Sequence, residues 1–280
     1  MKVTIENFPF RQRFGEELGL KAIKDAGFDG VDYSFNDDGK GNPIDLSNHI
    51  EKAKQVKGYL DKYGLICKQA HAPFCLSASD ELSLDNKNFS DMVKTFEFAS
   101  IIGCEIVVVH SIKLPPEEDF YKYNYNYYKT LEPYAKKYGV KIAVENLVNS
   151  IFWRPNILSQ FIRQLNSKVF CACIDVGHAM LMGIPPEEYI LGMDEGIIGC
   201  VHLHDTDGKI DRHWAPYQGI QNWENTVKAL VDRGFTGEIN LEVIRPFDAL
   251  PNELQLPFLK YVAEVGKYFA EKFKTLKNGK

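Results

Sequence analysis

Long apolar runs are missing from this chain of 280 residues. No segment approaches the roughly 18 apolar residues of a membrane span, and the opening MKVTIENFPF lacks the apolar stretch of a signal peptide, so a cytoplasmic protein without a membrane partner is expected. Cysteine is sparse. The six cysteines (Cys67, Cys75, Cys104, Cys171, Cys173 and Cys200) lie mostly inside apolar segments and never as paired CxxC knuckles, which excludes a zinc-ribbon framework and leaves reduced packing residues. Basic charge is not in excess: 33 Lys and Arg stand against 38 Asp and Glu, a net charge of -5. That balance, with FYKYNYNYYK the one basic-aromatic cluster after the apolar runs, argues against nucleic acid and for a small-molecule substrate. A GxGxxG turn is absent after the first apolar run, where ENFPFRQRFGEEL stands instead, so a doubly wound open sheet is disfavoured. No Ser/Gly-rich linker or shift in composition divides residues 1–280, and one domain is expected.

What the chain does have is an acid or a histidine where one apolar run after another stops. His71, His110, Glu145, Asp175, His202 and Glu242 lie at or near the ends of KQAHAPF, IVVVHS, KIAVENL, FACIDVGH, CVHLHD and INLEV. The last five runs are β-branched and apolar enough for strands buried on both faces, as in a parallel sheet covered by helices. A weak repeat accompanies them, in which a helical stretch ends in glycine and a short strand follows: AGFDGVDYSF, YGLICKQAH, IGCEIVVVH, YGVKIAVEN, EGIIGCVHLHD and RGFTGEINLEV. Adding VTIENF and KVFACID predicts eight strands, near 3–7, 29–34, 65–71, 105–110, 141–145, 169–175, 199–204 and 238–243. Helices are expected at 16–26, 48–63, 90–102, 120–138, 156–166, 187–195, 222–233 and 252–276. The fold class is α/β, a single (β/α)8 TIM barrel.

Parity along these strands sorts the side chains. Turning Glu145 inward also turns Ala143 inward and sends Ile142 and Val144 to the helices; Asp175 brings Cys171 and Cys173; Glu242 brings Asn240. Three carboxylates then share one apolar mouth, where unpaired charge is strongly unfavourable, and a divalent cation resolves the conflict. Mixed carboxylate and imidazole donors suit Mn, Zn, Co, Fe or Mg rather than a thiolate-loving ion. In IDVGHAMLMG, His178 follows Asp175 by three residues. In HLHDTDGKIDRHWAPYQG, Asp211 and His213 stand two apart, the spacing that puts both on one side of an extended segment.

The ordered set HAPF, VVVHS, VEN, DVGHA, HLHD, DRH and LEV resembles the xylose isomerase-like TIM barrels, a superfamily of sugar and sugar-phosphate isomerases and epimerases that also contains endonuclease IV. The resemblance covers nearly the whole chain. It implies that Glu145, Asp175, His202 and Glu242 hold one divalent metal ion, with Glu145 and Glu242 also catalytic. It implies further donors at His71, His110, His178, Asp211 and His213, which in the endonuclease IV pattern would hold two or three zinc ions or would otherwise support the first set. The implied activity is a metal-dependent sugar or sugar-phosphate isomerase or epimerase, working by proton transfer through a metal-stabilised enediolate. An endonuclease IV-type zinc phosphodiesterase, and a lyase or dehydratase using the same enolising chemistry, stay open as alternatives.

Candidate substrate contacts are Phe74, Trp153, Arg154, His204, Trp214, Tyr217 and Arg245, all after strands at the expected open face. The aromatics offer apolar surfaces to sugar C–H groups, and the arginines could clamp a phosphate. The stretch FYKYNYNYYK reads as a helix packing aromatics on the barrel rather than a stacking platform. Aromatic surface near the terminal helix suggests a homodimer or homotetramer.

Overall fold

The computed structural model describes residues 1–37, 42–114, 119–148 and 150–279. Eight strands form one parallel sheet: β1 Val3–Glu6, β2 Gly30–Ser34, β3 Ile66–His71, β4 Ile106–Val109, β5 Lys141–Glu145, β6 Phe170–Asp175, β7 Ile198–His202 and β8 Ile239–Leu241. Their order is β7-β6-β5-β4-β3-β2-β1-β8. The isolated parallel bridge Leu203↔Leu241 joins the two ends and closes the barrel. All eight expected strands are present, with ends displaced by a few residues.

The eight expected helices are also present, with ends displaced by a few residues. Helix Glu16–Ala26 ends at Gly27 with φ 100°, and Lys87–Ile102 ends at Gly103 with φ 86°, the left-handed geometry that closes a helix at little cost for a residue without Cβ. Among the described residues three short α-helices, Phe8–Phe14, Val176–Leu181 and Arg245–Ala249, were not expected, nor was a 3-10 turn at Ile151–Trp153 after β5. The three α-helices are built alike. Each follows a strand at the barrel mouth and spans under three turns, too little for a periodic pattern.

Two packed regions result. Ile142, Val144, Ala172, Ile174, Ile239, Leu241 and Val243 join the large core between strands and helices. Val108, Ala143, Cys171, Cys173 and Cys200 fill the lumen. The expected parity of β5, β6 and β8 therefore holds. Two register shifts adjust the others. One extra residue in β3 pairs Asp32 with Gln69 although Val31 pairs with Cys67. One extra residue in β7 pairs Cys173 with Cys200 although Ala172 pairs with Ile198. A bulge of this kind re-aims the residues beyond it. The second shift sets the parity that sends Cys200 into the lumen and His202 toward the mouth.

The tyrosine-rich stretch is part of helix Phe120–Tyr138. Tyr127 and Tyr128 are buried, and the Tyr128 hydroxyl donates to the Val109 carbonyl at 2.9 Å. All six cysteines are free thiols, five of them buried. Among the described residues no helix is long and apolar enough to cross a membrane.

Candidate metal centre and its cavity

The C-terminal ends of the strands bring the acids and imidazoles together. Glu145 is the last residue of β5 and is almost fully buried. Its Oε2 lies 2.8 Å from His110 Nε2 and 3.5 Å from His71 Nε2, and its Oε1 lies 3.3 Å from His178 Nδ1 and 3.5 Å from His202 Nδ1. Glu242, one residue beyond β8, lies 3.6 Å from His202 Nδ1 and 3.4 Å from His213 Nδ1. Asp175 ends β6 and caps helix Val176–Leu181, accepting from the His178 amide at 2.7 Å. Its carboxylate also meets His204 Nε2 at 3.0 and 3.1 Å and lies 3.9 Å from His202 Nδ1.

These side chains surround an inner cavity of about 210 Å³, lined among others by Glu6, His71, Glu145, His178, Glu242 and Arg245. A wider cleft of about 890 Å³ shares Phe74, His110, His178 and Asp211 with it and runs out past Leu147 and Met182. The Phe74 ring stacks on His110 at 4.1 Å and forms the step between the two.

The electrostatics are those of carboxylates and imidazoles holding one another charged in a buried place. Burial alone would raise the Glu145 and Glu242 carboxyls; the facing imidazoles, His110 and His202 for the first and His202 and His213 for the second, outweigh it and hold both well below the usual range. Burial would likewise depress the imidazoles, but carboxylates push His178, His202 and His213 well above theirs. Glu6, at the end of β1, behaves oppositely: burial, then Glu242, push it up to about 7.

Three of these atoms are buried without a hydrogen bond of good geometry: Glu242 Oε2, His178 Nδ1 and His202 Nδ1. A native protein rarely leaves so many donors and acceptors unsatisfied in one place. One atom each from Glu145, Asp175 and His178 lies within 4.8 Å of the others, as do sets from His71, His202 and Glu242 and from His71, His110 and Glu145. The donor set fits a divalent cation.

The remaining expectations divide. Asp211 and His213 do meet the site, but not along an extended segment. His213 takes a left-handed φ of 45°, and its Nε2 pairs with Asp211 Oδ2 at 3.0 Å while Asp211 also faces His178 Nε2 at 3.5 Å. His204 stacks on His213 at 4.2 Å and holds Asp175, so it braces the site from behind. Asn146 does the same from the other side, exchanging bonds of 2.8 and 2.7 Å with the Asp175 backbone. Arg245 reaches the inner cavity, and Trp214 sits beside it in a separate surface hollow. Three candidates lie elsewhere. Tyr217 turns outward, with φ 71° and its ring against Trp223 and Phe269. Trp153 and Arg154 stack on each other at 4.5 Å and line neither cavity. A position after a strand fixes the end of the barrel but not the direction in which the loop folds back.

Two acids escaped the sequence reading, Glu6 and the fully buried Asp32 on β2. Glu6 ends VTIENF just as Glu145 ends its own run, so a usable signal was there. Asp32 sits inside GVDYSF, where apolar residues continue past it and no run ends.

Gly177, in the DVGH segment, has a steric duty. A Cβ there would overlap the His204 ring, 2.6 Å from Nε2 and 2.7 Å from Nδ1. Gly177→Ala is expected to drive His204 off Asp175, costing about 1–3 kcal/mol of stability and weakening metal affinity roughly 10–100-fold. Gly58→Ala, where a Cβ meets nothing within 4 Å, should leave affinity unchanged. Thermal denaturation and chelator competition on the two variants check this; equal affinities would remove His204 from the supporting role.

A closed parallel barrel with acids and imidazoles gathered at its C-terminal mouth defines the class. Residues 20–260 match the family model described as Xylose isomerase-like TIM barrel, and the chain belongs to that family. The uncharacterized protein MJ1311 of Methanocaldococcus jannaschii is 29% identical over 188 residues, covering 64% of this chain and 63% of that protein. A second protein of the same organism, MJ1188, is matched over 56% of its length. The fold is also that of a D-tagatose 3-epimerase-like protein (TM-score 0.75, 21% identity, covering 100% of this chain and 99% of that one). The IolI protein, solved with a bound zinc atom, superposes with TM-score 0.74 at 16% identity, covering 99% of both chains.

Proposed function

We propose that this chain is a divalent-metal-dependent isomerase or epimerase acting on a sugar, a sugar phosphate or a related ketone. The observation that carries the reading is that Glu145 and Glu242, from strands three places apart in the barrel, both line one small cavity together with buried imidazoles. Glu145, Asp175, His202 and Glu242 would hold one ion. A bound divalent ion would supply Lewis acidity, making the hydrogen beside a ketose carbonyl easier to remove.

The chain's own groups supply the rest. Either glutamate can take that proton, and the other can return one to the enediolate from the opposite direction, which inverts the carbon and gives an epimer. A single glutamate carrying the proton between neighbouring carbons gives an aldose–ketose isomer instead. Phe74 offers an apolar face to the sugar, and Arg245 offers a cation at the inner cavity. The names of the solved relatives, a D-tagatose 3-epimerase-like protein among them, support a carbohydrate substrate for this barrel.

The test is a panel of ketoses and ketose phosphates incubated with metal-loaded protein in deuterated water. Deuterium appearing at one carbon, with a new epimer or isomer, is the expected result. No exchange on any member of the panel would sink the reading.

A second reading rests on the extra imidazoles. His71 and His110 on Glu145, and His178 beside Asp211, could hold further zinc ions as in a phosphodiesterase. Cleavage of duplex DNA at an abasic site, with two or three zinc ions per chain, would favour it over the first.

A further inference from the structure

Below the mouth lies a buried polar layer that the proposed chemistry does not touch. Thr4, Asp32, Gln69 and Asn240 come from β1, β2, β3 and β8 and are all buried. The Thr4 hydroxyl donates to Asn240 Oδ1 at 2.9 Å, and Asn240 Nδ2 donates to Asp32 Oδ2 at 3.0 Å. Gln69 Nε2 donates to the same oxygen at 2.5 Å. The register shift that pairs Gln69 with Asp32 brings this amide to the carboxylate. Asp32 is therefore fixed from two sides, and its Oδ1 still lacks a partner.

His202 stands directly above. Its ring is fully buried, and neither nitrogen has a hydrogen-bond partner. The two nitrogens face different neighbours. Nδ1 looks toward Glu145, Glu242 and Asp175, at 3.5, 3.6 and 3.9 Å. The carboxylate nearest Nε2 is that of Asp32, whose Oδ2, the oxygen held by the two amides, lies 3.5 Å away. A neutral imidazole has one bare nitrogen and one N–H, and which is which follows from the partner of the N–H.

We infer that Asp32 is the positioning residue of the centre: it accepts the Nε2–H of His202, so that Nδ1 is the nitrogen given to an ion held among the three carboxylates. The inference rests on His202 being a metal donor, as proposed above. Asp32 touches no substrate in this arrangement. It acts through His202, setting tautomer and ring orientation, as carboxylates behind metal-bound histidines do. The Gln69 and Asn240 amides keep Asp32 from turning away when the site is loaded.

Zinc binding and histidine-selective ¹⁵N NMR test it, with His202→Gln used to assign the His202 signals. In the wild-type protein, zinc should shift Nδ1 of His202 as a metal-bound nitrogen and leave a proton on Nε2. Asp32→Asn should lower zinc affinity roughly 10–100-fold in chelator competition and move the Nε2–H resonance. Zinc bound through Nε2 of His202 in the wild type would overturn the inference without any variant being needed. Zinc bound through Nδ1, with affinity and Nε2–H unchanged in Asp32→Asn, would overturn it and leave the metal centre standing. His202 signals that ignore zinc would overturn both.

Discussion

Glu145→Gln and Glu242→Gln should each lower kcat on the responsive ketose by roughly 10²–10⁴-fold, the range ordinarily lost with a general acid or base. Both changes preserve volume and polarity, so the barrel should remain folded. An amide can still accept a hydrogen bond, but it cannot take up the proton removed from carbon. The two losses should differ in kind. If one glutamate removes the proton and the other returns it, one variant should still exchange substrate hydrogen with deuterated water without forming epimer. The other should do neither. Assays at several metal concentrations separate this from weakened metal binding, because a ligand defect recovers with added metal and a missing base does not. Full activity in both variants would refute the assigned roles.

The second large effect is on stability. Removing metal with a chelator should lower the thermal midpoint, since an ion held at a hundredfold excess over its Kd contributes about 2.7 kcal/mol. For a chain of this size that is on the order of 5–10 °C. The effect should depend on pH in a definite direction. His202 and His213 have folded-state pKa values raised well above the ordinary imidazole value, so in the metal-free protein their contribution is complete below that value and is lost as pH rises through the folded one. Metal competes with the proton for His202, and its contribution grows as that proton leaves. The gap between loaded and metal-free protein should therefore widen between about pH 6 and about pH 8. Scanning calorimetry at both ends of that range measures it. A gap that stays constant or narrows would mean that His202 does not bind the ion.

Much of this was legible in the sequence because the barrel writes its order into simple signals. Strands buried on both faces must be apolar, so a charged residue at their ends is conspicuous, and Glu145, Asp175 and His202 stand out on that ground alone. Parity then placed Ala143 and Cys173 in the lumen with them. Asp32 was hidden because its polarity is satisfied sideways, by Gln69 and Asn240 from neighbouring strands, and nothing local marks it. The shift that makes the Gln69 contact adds one residue to β3, which no alternation of apolar and polar residues reveals. Tyr217 and Trp153 line neither cavity, and no local pattern announces it. The direction of the Tyr217 loop is fixed by packing of its ring against Trp223 and Phe269.

The barrel is not equally stitched all round. Between β7 and β8 the ladder reduces to the bridge at Leu203, whose amide donates to Asn240 and whose carbonyl accepts from the Glu242 amide, each at 3.0 Å. His202 and Glu242 sit on the two lips of this seam. Any ion they hold in common acts as a rivet across the thinnest stretch of wall. The amides of Leu203 and Glu242 thereby become local gauges: their hydrogen-exchange rates should slow on metal loading far more than those in the β5–β6 ladder, reporting the state of the centre from the backbone alone.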